Sequence, residues 1–267
     1  GSIDSILSKV DKTSDNYYDI VQKVIEDHGI EASISKVVGS EALAFAVDEG
    51  VQIMGGAGFI EEYPMATMYR DERINRIFEG TNEINRLIIG GTTLKKAILE
   101  EIPLRDMILH RREDWLPSID LSNHDYLSDE AKAVEYCRSF TLFCLHESIL
   151  KHGQDLKNEQ WIIEPFANMV ISLSLIDTGF KRFIQLDDGD HKDNTLDVLR
   201  LSVMDNFESC HLNGMKIINY LHEGETLGRK NKLINDWHSK VDLQLDEIQC
   251  QKRIVDVLYK MNKYYLN

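Results

Sequence analysis

Apolar residues recur at helical spacing along most of this chain, and little interrupts them. With 4 prolines and 16 glycines among 267 residues, few points can end an element. Strand-like alternation is hard to find. These features predict an all-α fold. A hydrophobic content of 43% suffices for a core, and the length fits one large domain or two modest ones.

The spacing predicts a helix from about Asn16 to Asp27, ended by His28-Gly29, and another from Glu31 to Met54. The second has a broad apolar face of Ile34, Val37, Val38 and Phe45. Its small residues Gly39, Ala42 and Ala46 suggest close contact with a neighbouring helix. Gly55-Gly56 can end it by supplying positive φ. Tyr63-Pro64 opens a short helix over Met65 to Ile77. Thr81 can cap the next, with Ile84, Leu87, Ile88, Leu94 and Ile98 as its buried face and Gly90-Gly91 as an interruption. Ile102-Pro103-Leu104 marks a boundary, giving domains 1–104 and 105–267.

Beyond it four long helices are predicted. Ser128 caps the first, which runs to about Lys151; the second spans Glu159 to Gln185 despite Pro165. The third spans Thr195 to His222, and the fourth Leu233 to Tyr265. In the fourth, Ile234, Val241, Ile248 and Val255 repeat every seven residues. Four such helices with short connections suggest a second, antiparallel four-helix bundle.

The net charge of -15 is spread along the chain: 10 Lys+Arg against 18 Asp+Glu in residues 1–103, 20 against 27 in the rest. Such a surface repels phosphate backbones and disfavours anionic headgroups, so nucleic-acid binding is not expected. Arg229-Lys230-Asn231-Lys232 reads as a loop or helix start. Cys137, Cys144, Cys210 and Cys250 have neither metal-site nor small-domain disulfide spacing, so buried free thiols in a reducing cytoplasm are expected. No metal is assigned, and no apolar run is long enough to span a bilayer. Gly1-Ser2, without a starting Met, reads as a cloning or protease scar, so the chain is expected to begin inside a longer protein.

The chemistry is expected at Phe78-Glu79-Gly80-Thr81-Asn82, where a carboxylate sits at a glycine hinge between two helical patterns. Upstream, Gln52-Ile53-Met54-Gly55-Gly56-Ala57-Gly58-Phe59 leaves backbone bare enough for a large cofactor to approach. With Ile34-Ser35-Lys36, Tyr69-Arg70-Asp71 and Arg76-Ile77 before the hinge and Glu83-Ile84 after it, these residues resemble the carboxy-terminal helical domain of the acyl-CoA dehydrogenase family. The continuation through Pro103-Leu104 is similar to long-chain members with an extra helical domain, which residues 105–267 would form.

The resemblance implies FAD-dependent α,β-dehydrogenation of an acyl-CoA thioester. Glu79 would be the base that takes the α proton, and Gly80 would contact substrate. Gln52, Ile53, Met54, Gly55 and Gly56 would contact the FAD of a neighbouring subunit; Thr81, Asn82 and Glu83 would lie beside FAD after the base. Such a base needs positioning, desolvation and hydrogen bonds on the developing enolate oxygen. In the family those donors are the base's own N–H and a flavin ribityl hydroxyl. Arg70, Asp71 and Arg73 are expected to form structural ion pairs.

Thr67 departs from the family's usual Lys or Arg, and Gly90-Gly91 replaces an Ala-Arg found in many short- and medium-chain relatives. The family's amino-terminal helical domain, middle β-domain and two earlier bundle helices have no counterpart here. This fragment is therefore expected to be inactive alone, and to bind no FAD tightly. Its exposed helices imply a homodimer or higher oligomer. The parent would use an electron-transfer flavoprotein. The alternative is a helical oligomerisation or interaction module without its own catalysis.

Overall fold

The computed structural model describes residues 2–102, 104, 125–186 and 192–261; among them helices predominate and no strand forms. The chain divides into two compact units, Gly1–Lys96 and Ala97–Asn267.

In the first unit, α1 (Ser2–Leu7) and α2 (Tyr17–Asp27) precede the long α3 (Gly29–Met54). His28 closes α2, its Nδ1 lying 2.8 Å from the Val24 carbonyl. Gly55, at φ 58, ends α3 and leads into the short α4 (Gly56–Phe59). Pro64 fits the first position of α5 (Pro64–Arg73), where a missing N–H leaves no partner wanting. A 3₁₀ turn, Ile74–Arg76, follows α5, and α6 spans Asn82–Ile98. α5 packs along α3, whose Ile34, Val37 and Val47 are buried.

Two expectations fail in this unit. α6 runs unbroken through Gly90-Gly91; about 1 kcal/mol per glycine is too small to end a helix held elsewhere. The buried faces also differ. On α6, Ile84, Ile88 and Ile98 are exposed, whereas Ile89, Leu94 and Ala97 are buried. On α3, Gly39, Ala42 and Ala46 are exposed, and a Cβ at Gly39 would meet no atom within 4 Å. The apolar spacing is present, but these stretches face no packed neighbour.

The second unit holds α7 (Ser128–His152), α8 (Gln160–Ile184), α9 (Lys192–Leu221), α10 (Gly224–His238) and α11 (Glu247–Met261). Arg138–Asp177 and His152–Glu159 set α8 antiparallel to α7. Tyr136–His211 and Lys151–Leu221 bring α9 back parallel to α7. Lys230–Glu147 and the Tyr136–His238 ring pair turn α10 antiparallel again. Tyr136, Phe140, Met169, Phe180 and Ile217 are fully buried in this unit. Gly214 is required there: a Cβ would lie 2.3 Å from the Phe140 ring and 2.8 Å from Met169. All four cysteines are free and buried, as expected.

The single helix expected over 233–265 is two helices. Asp242 accepts from the Gln244 backbone N–H through its carbonyl and from the Gln244 amide through its carboxylate. Asp246 then accepts the Gln249 N–H at 3.0 Å, starting α11. The seven-residue repeat is therefore no continuous seam: Ile234 is buried and Ile248 exposed. The cluster Arg229 to Lys232 lies inside α10, not in a loop or helix start. Lys230 pairs with Glu147 at 2.8 Å and sits 5.1 Å from the Phe143 ring centre. Ser128 is the first helical residue of α7, and Leu127 holds the cap position without a side-chain bond.

Candidate functional site

The chain leaves the 3₁₀ turn with the Phe78 N–H on the Ile74 carbonyl at 3.0 Å. Glu79 then takes φ 52 and Gly80 φ 86. Glycine adopts that region freely, but a glutamate there costs on the order of 1–3 kcal/mol. Surrounding bonds must hold it. The Gly80 carbonyl accepts from Lys36 Nζ at 2.8 Å and from Asn85 Nδ2 at 2.9 Å. Thr81 Oγ1 accepts the Ile84 N–H at 3.2 Å, the cap expected for α6. The hinge is thus tied to α3 on one side and α6 on the other, and Glu79 and Gly80 remain exposed.

Asn82 lies beneath this turn, 3% exposed. Its Oδ1 accepts from Lys36 Nζ at 2.6 Å, and its Nδ2 donates to Ser40 Oγ at 3.0 Å and Glu41 Oε1 at 3.1 Å. Glu41 in turn takes both Arg86 nitrogens, at 2.8 and 3.0 Å. Hydrogen bonds and charge from Arg86 outweigh burial and hold the Glu41 carboxyl below the usual range. The Glu83 carboxyl is also lowered, first by its own backbone N–H and then by the Thr81 hydroxyl. Glu72 is buried, with Arg76 Nε at 3.3 Å one turn away.

The other expected segment ends α3. The Gln52 carbonyl accepts the Gly55 N–H at 3.2 Å. Gln52, Ile53, Gly55 and Gly56 are exposed and Met54 is half-buried. No atom lies within 4 Å of a Cβ built on Gly55 or Gly56, whereas one on Gly58 would lie 2.6 Å from the Val51 carbonyl oxygen. Gly58 is thus needed for the turn, and Gly55-Gly56 present open backbone. Nearby, Arg70 pairs with Glu61, both exposed.

The two segments do not meet in one chain. Lys36 touches the hinge, and Gly55 lies 19 residues further along the same helix, ~28 Å away at 1.5 Å per residue. Sequence reasoning missed the roles of Ser40, Glu41, Asn85 and Arg86, and quoted Lys36 without giving it one. A weak signal existed: Lys36 and Ser40, like Asn82 and Arg86, are polar residues four apart and so share a helix face.

Residues 17–94 match the family described as acyl-CoA dehydrogenase, C-terminal domain. A probable acyl-CoA dehydrogenase of Bacillus subtilis (strain 168) is 40% identical over 163 residues, covering 61% of this chain and 27% of that protein. The human very long-chain specific acyl-CoA dehydrogenase, mitochondrial, is 35% identical over 170 residues, covering 55% and 25%. The chain thus spans about a quarter of the length of these relatives. A crystal structure of acyl-CoA dehydrogenase complexed with FAD from Bacillus anthracis matches with a TM-score of 0.88 at 28% identity, over 99% of this chain and 45% of that one. The hinge at Glu79 lies within residues 17–94, the part of this chain that belongs to the acyl-CoA dehydrogenase C-terminal domain family.

Proposed function

We propose that this chain supplies the α-proton base of an acyl-CoA dehydrogenase that oxidises acyl-CoA to trans-2-enoyl-CoA. The observation that carries the reading is the exposed Glu79 carboxylate on a left-handed turn anchored by a buried polar network. Glu79 takes the α proton of the thioester, and its own N–H donates to the thioester oxygen as charge develops there. FAD held beside the hinge would supply the acceptor for the β hydride that leaves as the α,β double bond forms.

The residues present fit such a cofactor. Gly55 and Gly56 offer open backbone with no neighbour at the Cβ positions, and Gln52 brings an amide that donates and accepts. Their ~28 Å separation from the hinge supports contact with the FAD of a second copy. Thr81, Asn82 and Glu83 would border the flavin beside the base. The Asn82 amide is committed to Lys36, Ser40 and Glu41, so its part there falls to backbone. Gly80 would face the substrate. The exposure of Glu79 and the separation of the two segments also support inactivity of these 267 residues alone.

Long-chain acyl-CoA as substrate, an electron-transfer flavoprotein as acceptor, a homo-oligomer and a cytoplasmic setting complete the reading. Similarity to very long-chain enzymes supports the first. Exposed Phe45 and Ile53 support the oligomer, and four free thiols a reducing compartment. Among the described residues no helix is long and apolar enough to cross a membrane. A separate interaction role for the second unit is favoured by Ile248 and Tyr259, both exposed on α11.

The test is Glu79→Gln in the full-length, FAD-loaded enzyme of which this chain is part. Turnover and exchange of the substrate α proton with deuterated water should be lost while FAD and acyl-CoA still bind. Wild-type exchange in the variant would overturn the assignment.

A further inference from the structure

We propose that Lys36 is a positioning residue for the base: its ammonium holds the Gly80 carbonyl and thereby the left-handed turn that presents Glu79. This rests on Glu79 being the base, and it assigns a specific role to a residue one long helix away from the chemistry.

Two consecutive residues at φ 52 and φ 86 reverse the chain without a regular ladder, so the carbonyl between them and α6 must find donors. The Gly80 carbonyl finds two, from separate helices: Lys36 on α3 and Asn85 on α6. A charged donor makes the stronger of such bonds. Lys36 also bonds Asn82 Oδ1 at 2.6 Å, so one ammonium joins the turn's exit to the first residue of α6. Both of these acceptors are neutral oxygens.

The nearer charges have hydrogen-bonded or ion-pair partners of their own. Glu41 is taken up by Arg86 and by the Asn82 amide. Arg76 lies against Glu72 and also lowers the Glu41 carboxyl by its charge. Glu83, beside Asn82, feels the Lys36 charge. Lys36 is thus fixed between neutral oxygens, with Ser40 one turn on bonding Asn82 from the same helix. The turn's entry is fixed separately by Phe78 on Ile74. Removing Lys36 leaves the exit held by the neutral Asn85 amide alone, and the residue between entry and exit is Glu79.

The test uses Lys36→Met and Lys36→Arg, read by NMR on the labelled chain and by kinetics on the FAD-loaded enzyme. In Lys36→Met the Glu79 backbone coupling and the Gly80 carbonyl shift should leave their left-handed, hydrogen-bonded values, with helix content retained. In the holoenzyme, kcat should fall about 100-fold, as for a base displaced by an ångström, with KM and FAD occupancy held. Lys36→Arg should recover part of kcat. Retention of the left-handed signature and of kcat in Lys36→Met overturns the proposal. If Lys36→Met alone unfolds the chain, Lys36→Arg decides: wild-type kcat and signature support a positioning cation, and a folded variant about 100-fold slower than wild type with an unmoved turn contradicts it. Full activity of Glu79→Gln would instead remove the base assignment, whatever Lys36 does to the turn.

Discussion

The two units bury their apolar residues differently. In the second, Tyr136, Phe140, Phe180 and Phe183 are sealed among helices of alternating direction. In the first, Phe45 is 69%, Ile53 83% and Phe59 80% exposed. The unit with the complete core bears none of the residues assigned to chemistry. The unit that carries Glu79 gives a larger share of its buried positions to polar groups, Asn82, Asn85, Ser40 and Glu72 among them. A polar network of that kind fixes a geometry more than it adds stability. The contrast separates a unit stabilised by its own packing from one whose helices present apolar faces for something further to cover.

The largest effect that can break this comparison is a matched pair of truncations. Phe140→Ala should cost about 3–5 kcal/mol in urea unfolding of the second unit, whereas Phe45→Ala should stay within about 0.5 kcal/mol at concentrations that keep the chain monomeric. Equal losses would mean that Phe45 is buried in solution. Next is Gly214→Ala, whose Cβ would press on Phe140 and Met169. Overpacking of about 1–3 kcal/mol should exceed the helix-propensity gain of about 1 kcal/mol, so the urea midpoint should fall. A rise would show that the Phe140 ring moves aside freely. In the first unit, Thr81→Ala removes the cap of α6 and should cost about 1 kcal/mol, seen as faster amide exchange at Ile84.

A further effect is on pH dependence. Burial, and then the neighbouring His238, push His211 from 6.5 down to about 4. His211 lies 2.6 Å from the Tyr136 hydroxyl, with the His238 ring 4.5 Å away. The unfolded chain binds the proton first, so the contribution is complete above pH 6.5. It is lost as pH falls from there toward about 4. Urea midpoints of the second unit should decline over that window, and His211→Gln should flatten the decline. An unchanged slope would assign the acid sensitivity to other groups.

How much of this was legible in sequence follows from what each feature depends on. Helices α3, α7 and α8 were readable because local spacing and few breakers decide them. The Thr81 cap was readable because a hydroxyl needs only the N–H three residues on. The break at 239–246 was hidden because the seven-residue apolar repeat continued across it, while Asp242 and Asp246 redirected the backbone through short-range bonds. The buried face of α6 was misread because Ile84 and Ile88 have the right period but no packed neighbour. The hinge motif was visible, but its anchor was not: Lys36 and Gly80 are 44 residues apart, and no local pattern announces that pairing.

The hinge unit is assigned one catalytic group, the base at Glu79. The most direct test of that assignment is single-turnover reduction of bound flavin by acyl-CoA in the FAD-loaded enzyme, comparing wild type with Glu79→Gln. Reduction should slow by at least about 100-fold with flavin occupancy unchanged. Reduction at the wild-type rate would contradict the account.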